Sequence, residues 1–74
     1  LEAVVTADEF GAAIRAARKA QGLRQDQLAG AAGVGVRFIV DLEGGKQTTH
    51  LGKALAVAAA LGLRVTIQQP DATQ

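Results

Sequence analysis

Apolar and polar residues follow a helical period through most of this chain, and each periodic stretch stops at a glycine. Phe10, Ala13, Ile14 and Ala17 fall on one face of a helix running to about Lys19–Gln21. Its start is a capping box, Thr6-Ala7-Asp8-Glu9: the Thr6 hydroxyl and the Glu9 carboxylate can each satisfy an N–H that a first turn leaves unpaired. Gly22 then predicts a left-handed residue after the helix, with Leu23 folding back as its apolar partner. The same punctuation recurs at Gly33-Val34, after a short helix over about 25–32 that turns Leu28, Ala29 and Ala32 inward. A third helix spans about 36–42 and stops at Gly44-Gly45. A fourth begins after Thr48 or Thr49, either of which can cap it. It lines Leu51, Leu55, Ala58 and Leu61 along one face and closes at Gly62.

From Leu63 the period changes to strict alternation, with Leu63, Val65 and Ile67 apolar against Arg64, Thr66 and Gln68. This is a strand signal, ended by Pro70 and a polar tail. A strand needs a partner ladder for its backbone groups. One candidate is Ala3-Val4-Val5, which is very short. The other is the same strand of a second copy, a pairing that two-fold symmetry makes self-complementary. The second is the expectation, with Leu63, Val65 and Ile67 as dimerisation residues. The predicted organisation is an arm at 1–5, a helical domain at 6–62, a dimerisation strand at 63–69 and a tail at 70–74.

Composition supports association. A chain of 74 residues without cysteine has neither a disulfide nor a Cys-based zinc site to supplement a small core, so a partner subunit is the remaining supplement. It is rich in alanine, with two Phe and no Trp, Tyr or Met, which favours helices packed closely through small side chains. No apolar run reaches the length of a membrane span, and the lack of cysteine fits a cytoplasmic protein. Net charge is only +1, but it is unevenly placed. Residues 1–10 carry −3, whereas residues 11–46 carry +3 through Arg15, Arg18, Lys19, Arg24, Arg37 and Lys46 against Asp26, Asp41 and Glu43. That middle segment is where an anionic partner would sit.

The same segment holds the most specific pattern. Two short helices flank a tight Gly33-Val34-Gly35 turn. Ala29 is small enough for the second of them to approach, and Val34, Ile39 and Leu42 fix the angle. This meets the physical requirement of a helix-turn-helix, in which one helix braces on the DNA backbone while the next presents a face to the major groove. Gln25, Leu28-Ala29, Gly33-Val34, Ile39, Leu42-Glu43 and Gly45-Lys46, with Ile14-Arg15 and Arg18-Lys19 upstream, resemble the phage-repressor and Cro type of helix-turn-helix, the XRE family. The resemblance covers residues 10–62 and implies a mainly α, compact four-helix lambda-repressor-like domain. In Phe38-Ile39-Val40-Asp41-Leu42-Glu43, the Leu61-Gly62-Leu63 ending and a C-terminal strand pairing across a dimer, the chain is similar to bacterial HipB-type antitoxins. That likeness implies autoregulation of an operon, with operator DNA, a second copy and a HipA-like kinase toxin as partners. Two positions depart from the family pattern: Arg24 stands where Thr or Ser is usual, and Gly35 where Ser is usual, both at helix caps.

Candidate DNA-binding residues are Arg24, Gln25, Gly35, Val36, Arg37, Val40, Asp41 and Lys46. Arg37, on the face opposite Ile39 and Leu42, can reach a guanine edge bidentately or grip a phosphate. Val36 and Val40 either touch thymine methyl groups or cover the edge of the core. Gln25 at a helix N-terminus, Arg24, and Lys46 after the Gly-Gly stop suit phosphate. By resemblance, Arg18 and Glu43 form an ion pair that holds the first helix to the third. Phe38 is expected in the core. His50 stands without a cysteine or second histidine, so no metal is expected. No catalytic constellation, phosphate-binding glycine loop or cofactor motif is present, and the turn glycines are no nucleotide fingerprint. The competing readings are a free-standing repressor without a toxin and a protein-interaction adaptor that no longer binds DNA.

Overall fold

The structure is a computed structural model that describes residues 3–70; the first two residues of the expected arm and the last four of the expected tail lie outside the described part. Four helices follow in order: α1 (Ala7–Ala20), α2 (Gln25–Ala32), α3 (Val36–Glu43) and α4 (Leu51–Ala60). The capping box at the start of α1 forms in both directions. Glu9 N–H donates to Thr6 Oγ1 at 3.0 Å, and Thr6 N–H donates to Glu9 Oε1 at 3.1 Å.

All four helices end alike. Gly22, Gly33, Gly45 and Gly62 have φ between +71° and +83°, where a Cβ is strained. The residue after each glycine donates its N–H back into the helix: Leu23 to Arg18 O, Val34 to Ala29 O, Lys46 to Asp41 O and Leu63 to Ala58 O. These contacts satisfy carbonyls that a helix end would otherwise leave unpaired. The glycines therefore set where each helix stops, and the intervening turns set how the next one leaves.

The core consists of Ile14, Leu28, Ala29, Ile39, Leu42, Ala54, Val57, Ala58 and Leu61, with Phe10, Ala17, Leu23, Ala32, Val34 and Phe38 packed partly against it. Each fully buried Ile, Leu or Val contributes roughly 1.5–3 kcal/mol relative to exposure. Gly11 is the point of closest approach between α1 and α3. A Cβ there would collide with the Leu42 carbonyl oxygen and lie 3.0 Å from that of Glu43.

Three expectations are corrected. Ala13 is exposed, and the inward face of α1 is Gly11, Ile14 and Arg18. In α4 the buried face is Ala54, Val57, Ala58 and Leu61, while Leu51 and Leu55 are exposed. An almost wholly apolar helix gives no contrast from which to read its inner side, and the small Ala54 and Ala58 let it sit close against its neighbours. The cap of α4 is His50, whose Nδ1 accepts from Lys53 N–H at 3.3 Å, rather than Thr48 or Thr49, because the helix starts later than either could cap. Within this single chain the alternating segment 63–69 forms no ladder, and neither does 3–5, so the intrachain pairing is not made.

Candidate nucleic-acid interface

The outer face of α3 is what remains once its inner face is buried. Ile39 and Leu42 are sequestered and Phe38 is partly so, which leaves Val36, Arg37 and Val40 in solvent with Asp41 half-buried beside them. Both valines are exposed, at 44% and 38%, and neither belongs to the buried core. Arg37 Nε approaches Asp41 Oδ1 at 3.4 Å across one helical turn, and Lys46 Nζ approaches Asp41 Oδ2 at 3.7 Å. Exposed pairs of this kind stabilise little, but they hold two cations over one surface.

Behind that surface lies the ion pair expected from the family resemblance. Arg18 Nε and Nη2 donate to the two carboxylate oxygens of Glu43 at 2.7 and 3.0 Å, and Arg18 Nη1 donates to Leu23 O at 2.8 Å. Both side chains are nearly sealed from water. Burial works against the Glu43 carboxylate, yet the hydrogen bonds from Arg18 and Gln25 and the charges of Arg18 and Arg15 outweigh it and hold this carboxyl below its ordinary value. The hydrogen bond to Glu43 outweighs burial in raising Arg18. The pair ties α1 to the C-terminal end of α3 and so fixes how far α3 stands out from the domain.

Gln25, expected on phosphate, is anchored inward: its Nε2 donates to Glu43 Oε1 at 3.1 Å. A primary amide has a second N–H, so one donor remains for a ligand. Arg24 is the residue preceding α2; its N–H is taken by Gln27 Oε1 at 2.8 Å, and its guanidinium pairs with Asp26 at 3.0 Å in solvent. The hydrogen bond from Arg24 lowers the Asp26 carboxyl. Gly35 precedes α3 without a capping side chain, and a Cβ there would meet nothing within 4 Å. The usual serine would fit, and glycine in its place costs only a few tenths of a kcal/mol.

Arg15 was not among the expected contacts. It lines a shallow open cleft with Arg18, Gln25, Val40, Glu43 and Gly44, which puts an exposed cation from α1 beside the outer face of α3. Its i, i+3 relation to Arg18 was the available signal, since that spacing places both arginines on the same side of α1. Leu63, Val65 and Ile67, the expected dimerisation residues, are all exposed, Ile67 almost completely at 95%. Among the described residues no group of His, Cys, Asp or Glu could hold a metal ion, and no helix is long and apolar enough to cross a membrane.

A helix-turn-helix family model, HTH_3, matches residues 14–68. The chain belongs to the helix-turn-helix family. That family comprises DNA-binding regulators and is not an enzyme class. Over 67 residues the chain is 54% identical to an uncharacterized HTH-type transcriptional regulator, y4mF, of Sinorhizobium fredii, covering 90% of this chain and 88% of that protein. Its fold matches those of the solved MDT protein and the HipA–HipB–O2–O3 complex at TM-score 0.86, and the HipB–O4 20mer complex at 0.85. Each match covers 96% of this chain and 100% of the other at 20% identity. In this helix-turn-helix protein α2 and α3 are the two helices of the motif, and α3 occupies the position of the recognition helix.

Proposed function

We propose that this protein is a sequence-specific transcriptional repressor that binds operator DNA in the cytoplasm as a homodimer. We further propose that it is the antitoxin of a HipA/HipB-like pair that represses its own operon. The observation that carries the reading is the outer face of α3. Two exposed valines flank an exposed arginine there, with Lys46 and Arg15 at its margins, and an apolar-plus-cationic helix face of this kind suits thymine methyls, guanine edges and phosphates. Arg24, Gln25 and Gly35 sit where α2 and α3 begin, the place at which helix N–H groups meet phosphate. The exposed row Leu63, Val65 and Ile67, unpaired within the chain, supports a β-ribbon between two copies. Such a ribbon would set the two α3 helices about one DNA turn apart, roughly 34–36 Å. The fold shared with HipB, which has been solved together with HipA, supports a HipA-like kinase as the further partner.

Fluorescence anisotropy on a duplex from the protein's own promoter tests this directly. Binding should weaken steeply with salt and exceed that for a scrambled duplex. A flat salt response would leave the adaptor reading instead. Sedimentation of Ile67→Lys, and of the chain ended at Gly62, should show monomers with reduced affinity for promoter DNA. A tight dimer in either variant moves the seam to the helices, with α4 as the candidate. Co-purification of a kinase-like protein separates the antitoxin from a free-standing repressor.

A further inference from the structure

Asp41 lies between both cations of the α3 surface without being the buried partner of either. Its Oδ1 faces Arg37 Nε at 3.4 Å and its Oδ2 faces Lys46 Nζ at 3.7 Å, while the Arg37 side chain is 85% exposed. An arginine reads guanine through paired donors aimed at O6 and N7, and a carboxylate that engages Nε leaves both terminal nitrogens for that task. An exposed arginine without such a brace loses several rotatable bonds' freedom on binding, a cost that preorganisation removes. A carboxylate on a surface facing phosphates also repels every duplex alike, whatever its sequence. Resting on the DNA-binding reading above, we propose that Asp41 is a specificity-determining positioning residue. It braces Arg37 for bidentate contact with one guanine and lowers affinity for every duplex. The bracing raises affinity for the guanine-containing site alone, whereas the repulsion lowers affinity for every duplex and cancels in the ratio of specific to non-specific binding.

The test is a selection from a pool of duplexes with a randomised centre, followed by anisotropy on the selected duplex, on single-base variants of it and on a scrambled duplex. Asp41→Asn keeps the size of the side chain and removes its charge. It should bind the scrambled duplex several-fold more tightly while preference for guanine at one position falls by about twofold. Arg37→Lys should lose the same preference with little change on the scrambled duplex, since the charge stays and the fork is lost. Asp41→Glu should restore part of the preference. A merely structural role would change specific and scrambled binding together, and this would overturn the proposal. So would an unchanged guanine preference in Asp41→Asn. Loss in Asp41→Asn of a cytosine preference that Arg37→Lys retains would also overturn it, by showing that Asp41 reads a base itself. If the wild-type protein selects no sequence at all, the DNA-binding reading fails with it.

Discussion

Replacing Glu43 by alanine should destabilise the protein before any contact with DNA is considered. The substitution removes both acceptors of the Arg18 guanidinium, at 2.7 and 3.0 Å, and leaves that group beneath α3 with only the Leu23 carbonyl at 2.8 Å. Arg18 is 8% exposed and lines the same open cleft as Glu43, so water entering from that cleft offsets only part of the lost carboxylate. Removing one member of a buried ion pair costs roughly 3–5 kcal/mol. The retained Leu23 contact favours the lower end of that range. Each kcal/mol shifts the melting temperature of a domain this size by roughly 4–8 °C, so a fall of at least about 12 °C is expected by circular dichroism. Protein concentration must be fixed, because association raises the apparent stability. The double replacement Arg18→Met with Glu43→Leu should recover most of the loss, because no charge is then left buried. A Glu43→Ala variant melting within about 2 °C of wild type would refute the reasoning, as it would show Arg18 already reaching water.

The same carboxylate gives a pH signature. Its folded pKa lies below the ordinary 4.5, so the stabilisation is complete above that value and disappears as pH falls through the folded one. Stability of Glu43→Gln, measured by urea unfolding, should therefore depend less on pH below 4.5 than wild type does. Gly11→Ala should lose about 1–2 kcal/mol in the same assay, because overpacking against a fixed carbonyl exceeds the helix-propensity gain; a gain of about 1 kcal/mol would mean that α1 and α3 are not in close contact there. Arg15→Ala should reduce the salt slope of promoter binding by about 1 and weaken all duplexes alike; an unchanged slope would remove Arg15 from the interface. Thr6→Ala should cost about 1 kcal/mol through the lost cap of α1, read from the urea midpoint.

Local chemistry made much of the fold legible. Thr6 and Glu9 act within four residues of each other, and each helix-ending glycine closes a bond to a carbonyl in the helix it ends, so these features are encoded where they occur. The spacing of the motif from Gln25 to Lys46 was equally readable, because a tight turn between two short helices leaves few alternatives. The faces of the helices were less so. Ala13 and Ala17 look alike in sequence, as do the Leu51 and Leu55 positions beside Ala54 and Val57, and no polar contrast says which side is inward.

The candidate interface divides in the same way. Arg37, Val36 and Val40 were identifiable because Ile39 and Leu42 mark the opposite side of a short helix with strong contrast. Arg15 was not, since its place beside Val40 and Gln25 depends on how α1 crosses α3, and that crossing is set by Gly11 meeting the backbone at Leu42 and Glu43. The inward anchoring of Gln25 and the sharing of Asp41 by Arg37 and Lys46 likewise require knowing where side chains from different elements converge. Sequence alone therefore determined where α1 starts and where each helix stops, because a capping box and glycine turns act over a few neighbouring residues. Only the tertiary structure decided which faces are buried and which charges meet, because those depend on contacts between residues distant along the chain.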